Sequence, residues 1–141
     1  MEILFLCTGN TCRSPMAAGL CEKLLRERGI VGSASSAGLA AQEGEPACEN
    51  AVLAMREVGV DLSAHRARQF EPEMGTFADQ IVVMTPVHRQ ILSARYPELG
   101  EKIVVISQTG VPDPYGGDLA LYRRTRDLLL ELLPALLPEQ P

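Results

Sequence analysis

The sequence predicts an α/β fold built on a parallel sheet, on three observations. Short, continuous apolar runs of strand length alternate with stretches of helical periodicity. No internal repeat and no linker divides the 141 residues, so residues 1–141 are expected to form one domain. At that length a chain buries roughly two-thirds of its unfolded surface, and 46% hydrophobic residues suffice for the core.

Glu2 to Leu6 is the first strand, ended by Cys7-Thr8-Gly9-Asn10. From Ser14 to Arg28 the pattern is helical, with Met16, Leu20 and Leu24 on one face. Ser14 before Pro15 reads as a capped helix start, and Gly29 as the stop. Ser33 to Ala37 is a small-residue strand closed by Gly38, and Ala47 to Val58 a second amphipathic helix stopped by Gly59. A loop from Asp61 to Gly75 follows, with one helical turn near Pro72. Gln80 to Met84 reads as a buried strand, Pro86 to Tyr96 as a helix and Lys102 to Ile106 as a strand. A loop from Ser107 to Asp118 leads to a last helix, Leu119 to Leu133, with Asp118 as its cap. Its apolar stripe is Leu119, Tyr122, Leu129, Leu132 and Leu133; Pro134, Pro138 and Pro141 point to a frayed end.

Composition excludes several classes. Aliphatic residues dominate and no polar tract interrupts them, which argues against disorder. No apolar run approaches the ~20 residues of a spanning helix, and the N-terminus has no basic segment before its short apolar run. A cytoplasmic chain without a signal peptide is expected. The net charge of −5 argues against nucleic acid or an anionic membrane as partner. Cys7, Cys12, Cys21 and Cys48 are then expected to be reduced thiols, and with His65 and His88 they lack the spacing of a zinc site.

In a parallel sheet, ligands bind at the carboxyl ends of the strands. The segment Cys7-Thr8-Gly9-Asn10-Thr11-Cys12-Arg13-Ser14-Pro15 leaves the first strand at that edge and enters a helix. Backbone N–H groups of such a loop and of the first helical turn can converge on an anion. Gly9 and Asn10 tolerate the left-handed conformations a tight cradle needs. Arg13 can hold two phosphate oxygens with its planar fork, and the positive field favours a Cys7 thiolate. The Ser14 hydroxyl is placed to donate to that sulfur. A thiolate beneath a bound phosphate is arranged for nucleophilic displacement.

The string CTGNTCRSP resembles the phosphate-binding loop of the low-molecular-weight protein tyrosine phosphatase family. The resemblance extends to Ser35-Ser36-Ala37-Gly38, the segment Gly59 to Gln69, the strand ending at Met84, and Asp113-Pro114-Tyr115. It implies a flavodoxin-like, three-layer αβα fold on a four-stranded parallel sheet. It also implies Cys7 as nucleophile, Arg13 as phosphate clamp and Asp113 as general acid. Asn10 and Ser14 would hold the loop and assist the thiolate. Thr8, Gly9, Thr11, Cys12 and Tyr115 would complete the phosphate and substrate surface. Phosphorylated proteins are the implied partners. No metal or cofactor is implied, because thiolate and guanidinium do the work of a divalent ion; a monomer is the expected state.

Cleavage through a cysteinyl-phosphate needs a proton for the leaving group and then a base for water, and one carboxyl can serve both steps. Among Asp61, Asp79, Asp113 and Asp118, Asp113 is stiffened between Pro112 and Pro114 on a loop able to act as a lid. Its surroundings are also ordinary turn composition.

Two departures bear on the substrate. Tyrosine-directed members resemble one another in placing a bulky aliphatic residue where this sequence has Thr11, and here it is similar to the protein-arginine phosphatases of the same family. Gly116-Gly117 stands where many tyrosine phosphatases carry a second aromatic. Phosphoarginine is therefore the expected target, with phosphotyrosine as the alternative. Arsenate reductases share a Cys-x5-Arg loop but need relay cysteines, and none follows Cys48. A non-catalytic oxyanion-binding module would have no reason to keep Cys7, Arg13 and Asp113 together. A reversible Cys7–Cys12 disulfide that protects the nucleophile is one role for Cys12, packing beneath the loop the other. Cys21 and Cys48 are expected in helix cores, and His65-Arg66-Ala67-Arg68 and His88-Arg89 in solvated surface runs.

Overall fold

Local signals set most of the element boundaries. β1 (Glu2–Cys7) runs into α1 (Arg13–Glu27), followed by β2 (Ser33–Gly38), α2 (Glu49–Arg56), α3 (Pro72–Phe77) and β3 (Gln80–Val83). Then come α4 (Pro86–Arg95), a 3-10 turn over Pro97–Lys102, β4 (Ile103–Val105), α5 (Leu119–Leu132) and a 3-10 turn over Leu133–Leu136. The structure is a computed structural model and describes residues 1–138.

All strand pairings are parallel, in the order β2-β1-β3-β4. The chain steps from β1 to β2 on one side and returns to β3 on the other, so the carboxyl end of β1 opens at a switch point of the sheet. Successive β1 side chains alternate between two cores. Ile3, Phe5 and Cys7 meet α1, α2 and α5, while Leu4 and Leu6 meet Phe70, Ile81, Val83, Leu92 and Leu99 on the opposite face. The result is the expected three-layer α/β sandwich on a four-stranded sheet. No helix among the described residues is long and apolar enough to cross a membrane.

Several boundaries differ from the sequence reading. α1 begins at Arg13, with Cys12 rather than Ser14 at its cap position; the Ser14 side chain is buried and turned toward Cys7 and Asn10. Pro15 still falls in the first turn, where a missing N–H costs nothing. α2 starts at Glu49, later than Ala47, with Cys48 at its cap position, so Cys48 is not a helix-core residue. The turn near Pro72 is a six-residue helix, and β4 is shorter than Lys102–Ile106. The chain after α5 is not frayed where described: Leu133 and Leu137 are buried in the main core. Pro141 lies outside the described residues.

Candidate active site

The loop between β1 and α1 is held from outside by its carbonyls. Those of Cys7 and Thr8 accept from the N–H groups of Leu39 and Ala40, that of Thr11 from Cys48, and that of Cys12 from Met16 within α1. His65 Nε2 lies 2.7 Å from the Asn10 carbonyl, so this nitrogen carries the proton and donates. With the carbonyls engaged outward, the N–H edge of residues 8–13 is what the loop presents inward, beside the N-terminus of α1.

Asn10 holds this shape. It is fully buried and the one non-glycine described with positive φ, 58°. Its Nδ2 donates to Ser14 Oγ and Ser36 Oγ, each at 2.9 Å, and its Oδ1 accepts the Arg68 N–H at 3.0 Å. Arg68 Nε in turn donates to the Ser36 carbonyl at 2.9 Å. Gly38 permits the close approach of β2: a Cβ there would stand 2.7 Å from the Thr8 carbonyl oxygen and 3.1 Å from Asn10 Cβ.

Cys7, 3% exposed, ends β1 at the base of this nest. Ser14 Oγ, already accepting from Asn10, lies 2.9 Å from Cys7 Sγ and 3.5 Å from the Ala37 carbonyl; the sulfur is the nearer acceptor for its proton. Arg13 is 6% exposed; its Nη1 donates to the Val111 carbonyl at 3.0 Å and its Nη2 faces Asp113 Oδ2 at 3.6 Å. Asp113 Oδ1 accepts the Tyr115 N–H at 3.1 Å, a turn that leaves the carboxylate half-exposed at the rim. A cleft of about 340 Å³ opens here, lined by residues 7–13, Asp113 and Tyr115, and also by Ala40, Gln42 and Glu45.

Two expectations for this region are corrected. His65 and Arg68 are not a solvated run: His65 is half-buried on the Asn10 carbonyl, and burial holds it below the usual histidine range. His88 is buried beneath the loop, its Nε2 3.0 Å from Thr8 Oγ1; burial, with the nearby Arg13 charge, brings it down to about 4. Cys12 Sγ is buried beneath the loop, the second of the two roles expected of it. It lies 2.9 Å from Cys48 Sγ and 3.3 Å from the Tyr122 hydroxyl, and all four cysteines are free thiols. Cys21 is buried in α1 as expected. The other acids have local partners: Asp118 Oδ1 accepts the Leu121 N–H and caps α5, Asp79 accepts from Glu2, and Asp61 from Ser63. Sequence reasoning missed His65, Arg68, His88 and the Gln42–Glu45 rim; only the likeness of the stretches at Ser36 and Gly59–Gln69 carried any signal.

A buried thiol under an inward N–H nest, with a guanidinium beside it and a carboxyl at the rim, defines the class of enzyme that moves phosphoryl groups through sulfur. Comparison with known proteins narrows this. The family model described as low molecular weight phosphotyrosine protein phosphatase matches residues 2–140. A protein-arginine-phosphatase of Geobacillus stearothermophilus is 38% identical over 139 residues, covering 94% of this chain and 90% of its own. A low molecular weight protein tyrosine phosphatase from T. tengcongensis superposes with a TM-score of 0.93 at 40% identity, covering 96% of this chain and 97% of that one. A YwlE arginine phosphatase mutant with a phosphorylated active site serine gives a TM-score of 0.92 at 35% identity, covering 96% and 93%. The chain belongs to the low molecular weight protein phosphatase family and is a phosphatase.

Proposed function

We propose that this phosphatase hydrolyses phosphoarginine in proteins, through a phosphoryl group carried on Cys7. The observation that carries the substrate choice is the wall above the nest. Two carboxylates, Glu45 and Asp113, line the cleft of an anion-binding site together with Thr11, whose hydroxyl lies 3.7 Å from Cys12 Sγ. Negative charge there opposes a phosphate alone, but complements a phosphoryl group borne on a cationic, planar guanidinium. A phenol needs apolar faces, and among the described lining residues Tyr115 is the one aromatic. A side chain at position 117 would collide with Leu121 and come within 2.9 Å of the Pro114 carbonyl oxygen, while position 116 has space but a φ of 81° that residues with a Cβ rarely adopt. The resemblance of the chain to proteins named arginine phosphatases supports the same reading.

Each residue has a step. The Cys7 sulfur, 2.9 Å from Ser14 Oγ, attacks phosphorus as the thiolate, in line with the leaving group. Arg13 holds two of the equatorial oxygens as charge spreads over them. Asp113 gives its proton to the departing nitrogen, then takes one from the water that attacks the thiophosphate. Thr11 and Glu45 orient the guanidinium by hydrogen bonds and charge.

The test compares kcat/KM on matched phosphoarginine and phosphotyrosine peptides. Wild type is expected to favour phosphoarginine, and Thr11→Ile to move the ratio toward tyrosine by about 10-fold or more, because an unmatched polar group weighs more than a lost methylene. A wild type that favours phosphotyrosine overturns the arginine reading.

A further inference from the structure

Cys12 and Cys48 take no part in the chemistry above, yet their sulfurs lie 2.9 Å apart. Cys12 occupies the cap position of α1 and Cys48 that of α2, so each sulfur sits where the helix dipole favours a thiolate. The backbone fixes the pair: the Cys48 N–H donates to the Thr11 carbonyl at 3.0 Å, and the Tyr122 hydroxyl is 3.3 Å from Cys12 Sγ. Cys48 is half-buried and within reach of solvent, whereas Cys12 is 4% exposed. The hydrogen bond from Cys12 holds the Cys48 thiol below the usual range; the same shared bond, with burial, pushes Cys12 up. Cys48, the more exposed of the two, is the sulfur a peroxide reaches first, and Cys12 is its resolving partner. A disulfide requires sulfurs about 2.05 Å apart, a closure that side-chain rotation can supply from the present contact.

We propose that Cys12 and Cys48 are a redox-active dithiol, oxidised by hydroperoxides to a reversible disulfide that ties the phosphate loop to α2 and withholds Cys12 from Cys7. The Cys48 thiolate attacks one peroxide oxygen; the S–O bond forms, the O–O bond breaks, and the departing hydroxide takes a proton to leave as water. Cys12 sulfur then attacks Cys48 sulfur, the S–S bond forms, the S–O bond breaks, and the sulfenic hydroxyl leaves as a second water with the Cys12 proton. The two cysteines lose two electrons to the peroxide, which is reduced to water. A small dithiol reverses the bond by thiol–disulfide exchange.

The full-length protein is treated with hydrogen peroxide, its remaining thiols are alkylated, and the unreduced digest is mapped by mass spectrometry. Cys7 and Cys12 share the peptide Met1–Arg13, so fragment ions between Thr8 and Thr11 place the bridge. The expected result is a dominant Cys12–Cys48 bridge, with loss of Cys48 alkylation, retention of Cys7 alkylation and full reversal by dithiothreitol. In Cys48→Ser, which leaves the catalytic groups intact, peroxide inactivation is expected to be several-fold faster, because Cys7 and Cys12 are then free to pair. A dominant Cys7–Cys12 bridge in wild type with Cys48 still alkylated overturns the proposal, as does irreversible Cys48 sulfinate. Equal inactivation of wild type and Cys48→Ser overturns it too, and the wild-type map decides alone should the variant not fold.

Discussion

On the proposed mechanism, Asp113 is a single side chain with two tasks. One oxygen is taken by the Tyr115 N–H and the other faces Arg13 Nη2 at 3.6 Å, too long for a strong hydrogen bond and open to a leaving group. Asn at this position keeps the turn but has no proton to give and no basic oxygen to activate water. Asp113→Asn is expected to lower kcat by about 10²–10⁴-fold, the usual span for general acid–base catalysis. With p-nitrophenyl phosphate, whose leaving group needs little protonation, a burst of nitrophenol should survive while steady turnover falls. Rapid-mixing absorbance measures both, and an unchanged steady rate removes Asp113 from the mechanism. Asn10, by contrast, touches no reacting atom yet satisfies Ser14, Ser36 and the Arg68 N–H at once. Removing its amide leaves those buried groups unpaired, at about 1–3 kcal/mol each.

The helices carry consequences of their own. α5 begins at Asp118, whose carboxylate accepts the Leu121 N–H at 2.9 Å, and its inner stripe of Tyr122, Thr125 and Leu129 closes one face of the sheet. Asp118→Ala is expected to cost about 1 kcal/mol through the lost cap, with kcat/KM little changed; urea unfolding and the peptide assay check the two halves. A loss of turnover without a loss of stability would move Asp118 from cap to catalysis. This cap was legible in the sequence because it is a local signal, as were the positions of the strands: three are apolar runs without helical period, and β2 is a small-residue stretch closed by Gly38. The CTGNTCRSP loop was legible for the same reason, being contiguous. What escaped was what the fold alone brings together. His65, Arg68 and His88 reach the loop from 55 to 80 residues away, and no pattern around them distinguishes a buried imidazole from an exposed one. Ser14 misled because its hydroxyl suits a cap as well as a sulfur, and the nearby sulfur and amide took it.

For the molecule as a whole, buried imidazoles set the acid limit of stability. His88 is held to about 4 by burial and the Arg13 charge, and His65 is lowered by burial. The unfolded chain binds protons at these histidines near the ordinary value of about 6.5 while the folded chain refuses them. Their stabilisation is therefore complete above pH 6.5 and is lost as pH falls toward 4, by about 1–3 kcal/mol for His88. The exposed Glu57, held at about 2 by Arg123 and Arg126, gives up its contribution as pH falls from about 4.5 toward 2. Melting temperature across pH 4–7 should show this slope, and His88→Gln should flatten it; an unchanged slope in the variant would show that His88 is not its source.

On the proposed mechanism, Arg13 serves two purposes through one guanidinium. Its Nη1 bond to the fully buried Val111 reaches the segment that carries Asp113, so the whereabouts of the acid are registered at the phosphate by a single side chain. Lysine would preserve a charge but strand that carbonyl. Lost turnover in Arg13→Lys would accordingly report a displaced proton donor as much as a weaker hold on the substrate, and the two separate in the leaving-group dependence of the rate.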